Sequence, residues 1–76
     1  MNPWSKKKIE DVVWKIEEIV TELENLEVIE QETLENLSDI ELSYKQEDIE
    51  KLIELLQQEK NSLSETVDNL NTILEY

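Results

Sequence analysis

Ile9, Val12, Ile16, Ile19, Leu23 and Leu26 follow one another at alternating spacings of three and four residues. That spacing returns side chains to one helix face every two turns, so it predicts an α-helix with an a/d heptad seam. Val13 and Val20 occupy the neighbouring position and widen the seam into the broad stripe of a bundle helix. The seam continues less cleanly through Ile29 or Glu30, Thr33, Leu34 and Leu37. The second half repeats it with Ile49, Leu52, Leu56, Glu59, Leu63, Thr66, Leu70 and Ile73, flanked by Ile53, Val67 and Leu74.

Read in opposite directions, the halves align: Leu34 with Ile49, Val20 with Leu63, Ile16 with Val67, Val13 with Leu70. The expected fold is all-α, an antiparallel helical hairpin forming a single domain over residues 1–76. Its helices are expected over about 5–37 and 47–75, joined by a turn over about 38–46. Ser38, Asp39, Ser43 and Gln46 are the cap-forming residues such a turn needs, although Ile40, Leu42 and Tyr44 make it unusually apolar. The alternative is three helices, over about 5–26, 29–44 and 47–75. At the first helix start, either Ser5 caps and Trp4 staples onto Ile9, or Asn2 caps and Pro3 is the first helical residue. A two-helix hairpin has one contact seam and is marginal alone, while the wide stripe calls for more cover. Dimerisation into a four-helix bundle is the simplest closure, and a host protein supplying the missing face is the other.

Composition agrees with helix throughout. The 76 residues include no glycine and one proline, Pro3, whereas sheets and tight turns draw on both. No cysteine is present, which fits a reducing compartment. No apolar run approaches the ~20 residues of a membrane span, and the N-terminus has no signal-peptide apolar region. The expectation is a soluble, cytoplasmic protein with no membrane contact.

Charge changes the picture most. From residue 16 to residue 44 there are ten acidic residues and no basic one, within a formal net charge of −13. Such a block repels itself in a compact state, and solubility alone is served by mixed signs. It therefore points to a cationic partner, of which nucleic-acid-binding surfaces are the commonest. Eight of these carboxylates fall within residues 16 to 37. As a helix that segment spans roughly 33 Å, or one charge per about 4 Å, close to the ~3.4 Å per phosphate of a DNA strand. A plain solvated face on an acidic protein is the competing reading. Trp14 falls opposite the predicted seam, where an exposed indole is typical of a binding hot spot or of a wider dimer interface. The candidate partner-binding residues are Trp14, Glu18, Glu22, Glu32, Glu35, Asp39 and Glu41.

Chemistry for catalysis is missing. Without His, Cys or Arg the chain lacks the usual general base, thiol nucleophile, zinc ligands and bidentate phosphate clamp. Without glycine it has no phosphate-cradling loop. Glu24 with Glu27, and Glu32 with Glu35, lie one helical turn apart, but the Glu-x-x-His signature of di-iron bundles and any calcium loop are lacking. The expectation is no enzyme, no cofactor and no metal.

In size, acidity and helical make-up the chain resembles small inhibitors encoded by phages and mobile elements, some of which occupy the DNA-binding groove of nucleases or transcription factors. Separately, Ile9-Glu10-Asp11-Val12-Val13-Trp14-Lys15-Ile16-Glu17-Glu18-Ile19-Val20-Thr21-Glu22-Leu23-Glu24 looks like the first helix of the exonuclease VII small subunit. That family continues with a glycine and a Leu-Pro-Leu-Glu-Glu turn, whereas Asn25-Leu26-Glu27-Val28 follows here. The leading functional expectation is an inhibitor or decoy of the DNA-mimic type. It would dock on a basic, nucleic-acid-binding protein without touching nucleic acid itself, and would act as a homodimer. The alternative is a small structural coiled-coil subunit or adaptor completing a larger assembly.

The charge block also governs stability. Helical content and melting temperature are expected to rise as salt is added, or as pH falls toward the pI near 4.1, because carboxylate repulsion weakens in both cases. Circular-dichroism melts at several salt concentrations check this, and curves unchanged by salt would contradict it.

Overall fold

A computed structural model describes all residues from Met1 to Tyr76. Two helices, α1 (Pro3–Glu35) and α2 (Asp39–Leu74), pack against each other with no strand present. The resulting rod has Cα extents of 59 × 14 × 11 Å. The three-helix alternative is not adopted.

Local chemistry sets the ends. Asn2 caps α1, its Oδ1 accepting the Trp4 backbone N–H at 2.8 Å, and Pro3 follows at the first helical position. Pro3 is suited to that place because its ring fixes a helical φ and it lacks an N–H that would go unpaired. Ser5 is thus not the cap. Trp4 is mostly exposed with the Lys8 ammonium over its ring at 5.3 Å, so it is not a staple on Ile9. At the other end Asn36 stops α1. Its side-chain amide donates to the Glu32 carbonyl at 2.8 Å, and its backbone N–H reaches the Glu32 and Thr33 carbonyls. No residue adopts a positive φ, so the reversal is made without glycine.

The turn is shorter and earlier than expected. It consists of Asn36, Leu37 and Ser38, and the residues from 39 to 46 are helical. Ser38 Oγ accepts the Glu41 N–H at 3.2 Å, so Ser38-Asp39-Ile40-Glu41 is the N-terminal signature of α2. Ser43 and Gln46 are not turn residues: the Ser43 hydroxyl donates to the Ile40 carbonyl, and the Gln46 amide to Glu50. Helical continuation explains the apolar Ile40, Leu42 and Tyr44. Leu42 is half-buried, while Ile40 and Tyr44 are 73% and 78% exposed at the head of α2.

The covered stripe is rotated from the expected one. In α1 the covered row is Ile9, Val13, Ile16, Val20, Leu23, Glu27, Glu30 and Leu34. In α2 it is Ile49, Ile53, Leu56, Lys60, Leu63, Val67, Leu70 and Leu74. Each row steps by four and three in turn, and the second row read backwards has the same steps as the first. All eight residues of the four sequence-aligned pairs lie in these rows. Val12, Ile19, Leu26, Leu52 and Ile73, expected in the seam, are instead 41–47% exposed. Only Val13 and Val67 are buried, each 8% exposed.

With so thin a core, each covered methyl counts. Val67→Ala removes buried apolar surface at the tightest point and is expected to cost about 1–2 kcal/mol. Ile40→Ala, on the exposed head of α2, is expected to cost less than about 0.5 kcal/mol. Urea unfolding followed by circular dichroism measures both, and equal losses would contradict the seam described here.

Candidate interaction surfaces

One polar contact crosses the hairpin within the seam. Lys60 Nζ lies 2.6 Å from Glu27 Oε2, and Gln57 Nε2 donates to Glu27 Oε1 at 2.8 Å. The Glu27 and Lys60 side chains are only 12% and 21% exposed. The hydrogen bond from Lys60, then that from Gln57, hold the Glu27 carboxyl below its ordinary value of 4.5, outweighing partial desolvation. The other ion pair, Lys51 with Glu54 at 3.9 Å, is exposed and within one helix, where such pairs contribute little. Lys6, Lys7 and Lys8 make no ion pair, although their place at the N-terminal end of α1, with Lys6 in the first turn, is unfavourable for cations.

The candidate binding residues form a strip rather than a cluster. Trp14, 65% exposed, lines a shallow hollow on the outer face of α1 with Glu17, Glu18, Thr21 and Glu22. Glu32 and Glu35 are exposed near the C-terminal end of α1, roughly 15 Å or more beyond Glu22 at 1.5 Å per residue. Asp39 and Glu41 lie across the turn, in the first turn of α2, where the helix dipole favours their charge. Those two carboxylates therefore serve the fold whether or not they meet a partner. Of the ten acidic residues from 16 to 44, Glu27 and Glu30 are partly covered in the seam and eight are exposed.

A second surface is formed by residues that the spacing places in the seam. Val12, Ile19 and Leu26 each precede a covered residue of α1, and Leu52 and Ile73 do so in α2. In an antiparallel pair these positions fall on the same side of the hairpin. The opposite side carries Glu10, Glu17, Glu24 and Gln31 from α1 with Glu50, Gln57, Ser64 and Asn71 from α2. The hairpin thus carries its exposed apolar rows on one face, interrupted in α2 by Glu59 and Thr66, and is polar on the other. The signal was present in the sequence as two adjacent apolar rows per helix, of which one partner helix can cover only one.

No group of three or more acidic side chains converges as a metal site, and the hollows of the surface are lined by four or five residues of a single helix. No helix is long and apolar enough to cross a membrane. Comparison with protein-family models, with curated proteins and with solved structures finds no match.

The seam carboxylate gives the pH profile a turning point. Because the folded-state pKa of Glu27 is lowered, its stabilising contribution is complete above 4.5 and is lost as pH falls further, through the lowered value. Relief of repulsion acts in the other direction, as the net charge falls toward the pI near 4.1. The melting temperature is therefore expected to rise from neutral pH toward pH 4.5 and then to level off or fall. In Glu27→Gln the acid-side decline should disappear, and an unchanged decline would assign it to other groups.

Proposed function

We propose that the protein is a non-catalytic interaction module that binds a basic, nucleic-acid-binding protein through the carboxylates along the outer face of α1. The observation that carries the proposal is the uncompensated strip itself. Glu18, Glu22, Glu32 and Glu35 stand exposed on one long helix, with no lysine between Lys15 and Lys45. A rigid helix holds these charges without needing to order them on binding, and Trp14 beside Glu18 and Glu22 offers an apolar anchor. The mode of action is that of an inhibitor or decoy of the DNA-mimic, phage-borne type, working in the cytoplasm and needing no cofactor. In this reading the chain is a homodimer, its two hairpins forming a four-helix bundle.

A second reading is favoured by the apolar face. A small structural coiled-coil subunit or adaptor would be held in a larger assembly through Val12, Ile19, Leu26, Leu52 and Ile73, leaving the carboxylates in water. The two readings differ in what breaks binding. Under the first, Glu18→Gln with Glu22→Gln weakens capture of the partner, added DNA competes for it, and affinity falls steeply with salt. Under the second, Ile19→Asp abolishes capture and the double glutamine variant does not. Pull-down from host lysate with each variant, its helicity verified by circular dichroism, separates them. Binding that survives 1 M salt unchanged, where screening acts within about 3 Å, would overturn the acidic-strip proposal.

A further inference from the structure

We infer that the apolar face is closed by a second copy of this chain running head to tail, with the two-fold axis passing beside Ile19. The pairing deepens the homodimer proposed above by naming its face and its polarity. Four observations lead to it.

The first is area. The apolar rows run about 21 Å along α1, from Val12 to Leu26, and about 32 Å along α2, from Leu52 to Ile73, across a width of about 20 Å. Each copy then offers about 500 Å² of this face, and the flanking polar positions along the rod complete the ~800 Å² per partner of a standard interface.

The second is residue matching. When two hairpins stack face to face about a two-fold axis, either like ends or opposite ends meet. With opposite ends together, α1 lies antiparallel on the partner's α1, and α2 on the partner's α2. Val12 then meets Leu26, Ile19 meets its own copy, and Leu52 meets Ile73, so every apolar residue of the exposed row meets an apolar one. Glu59 meets Thr66, polar on polar. With like ends together, α1 lies on the partner's α2, and the seam register sets Ile19 against Thr66, Leu26 against Glu59 and Leu52 against Thr33. That arrangement matches only Val12 with Ile73 and Ile29 with Leu55.

The third is height along the rod. The α1 row is centred on Ile19, and the α2 row between Ser62 and Leu63. The contacts of Glu27 with Gln57 and Lys60 set the register and bring Val20 near the level of Leu63, so the two centres agree within a few Å at about 1.5 Å per residue. One two-fold axis therefore serves both helices. The small Ser62, exposed on the rim of the apolar face beside it, permits close approach there.

The fourth is charge. Thirteen of the twenty acidic residues lie between Glu22 and Glu59, in the half of the rod that ends at the turn. Lys6, Lys7, Lys8 and Lys15 lie at the open end. Like ends together would stack the two acidic halves, whereas opposite ends together set each acidic half beside the partner's less acidic half, where four lysines offset part of the other seven acidic residues. Lys15 then lies against the partner's Glu22, on the rim of the α1 pair.

The chain has no cysteine, so single cysteines report the arrangement directly. Under mild oxidation Ile19→Cys is expected to form a disulfide-linked dimer, since the two-fold brings its copies within the ~4.4–6.8 Å Cα separation a disulfide requires. Val12→Cys and Leu26→Cys should each stay largely unlinked alone and cross-link when mixed. Because these positions are exposed in the hairpin, unchanged helicity by circular dichroism verifies that each variant is folded. Cross-linking of Ile19→Cys with Thr66→Cys but not with itself would keep the dimer and overturn its polarity. A monomer by light scattering at the highest soluble concentration would overturn the dimer itself, and with it the closure of this face by a second copy. Neither outcome bears on the acidic strip, which the pull-down tests separately.

Discussion

Two helices laid side by side can cover one stripe on each, and this chain carries more apolar surface than one stripe holds. Everything distinctive about the structure follows from that limit. Two residues of 76, Val13 and Val67, fall below a tenth exposed, and the remaining seam residues are only half covered. A second apolar row on each helix is left facing out. Because the helices are antiparallel, these rows do not go to opposite sides and cancel. They share one face, and the polar rows Glu10, Glu17, Glu24 on α1 and Glu50, Gln57, Ser64 on α2 share the other.

The choice of stripe is bound up with one ion pair. Glu27 and Lys60 both stand at seam positions, where a lone charge would lose solvent without gaining a partner. Their contact, completed by Gln57, is available only in the antiparallel register in which the two covered rows coincide step for step. Sliding one helix by a heptad would preserve most apolar contacts and separate the charges. The pair thus acts on register more than on total stability, the use best attested for polar groups at heptad seams. It also removes one of the ten carboxylates from the acidic block, and Glu30 is partly withdrawn as well, leaving the rest of the strip exposed.

Much of the architecture was legible in the sequence. The three-and-four spacing, the absence of glycine and the back-to-back alignment of Leu34 with Ile49 or Val20 with Leu63 are properties of residue order, and they are enough for two antiparallel helices. What was misread is instructive. The turn is expected over 38–46 because Ser43 and Gln46 are polar, yet Ser38-x-x-Glu41 has the sequence pattern of a capping box, with Ser38 Oγ accepting the Glu41 N–H, and marks the start of a helix more sharply than polarity marks a loop. The spacing favours Val12, Ile19 and Leu26 for the seam because that row is as apolar as the row of Val13 and Val20. Periodicity cannot rank two equal rows. The charged pair could have decided it, since Glu27 and Lys60 belong to the row that is covered, but a charge in a predicted seam reads as an interruption until its partner is found on the other arm. Trp14, Glu18, Glu22, Glu32 and Glu35 are exposed on α1, and Asp39 and Glu41, expected in the turn, are exposed on α2. Their spread along some 30 Å, from Trp14 to Glu41, was not evident while the turn was misplaced.

The two exposed surfaces place different demands on a partner and meet only at Glu22. Apolar cover requires a wide, dry contact on one face, while the acidic strip, in the reading proposed above, would meet a cationic surface on the outer side of α1. A head-to-tail second copy would satisfy the first demand and draw only Glu22 from the second. It would also change the second: each acidic half would lie at an opposite end of the rod, giving two separated anionic strips related by the two-fold axis. Such an object suits a partner that is itself a symmetric dimer with two basic grooves, since linking the two sites converts the second contact into an intramolecular one. A monomeric hairpin offers no such gain. The polarity of the pairing is therefore the point at which the stability of this small protein and the geometry of its binding surface become the same question.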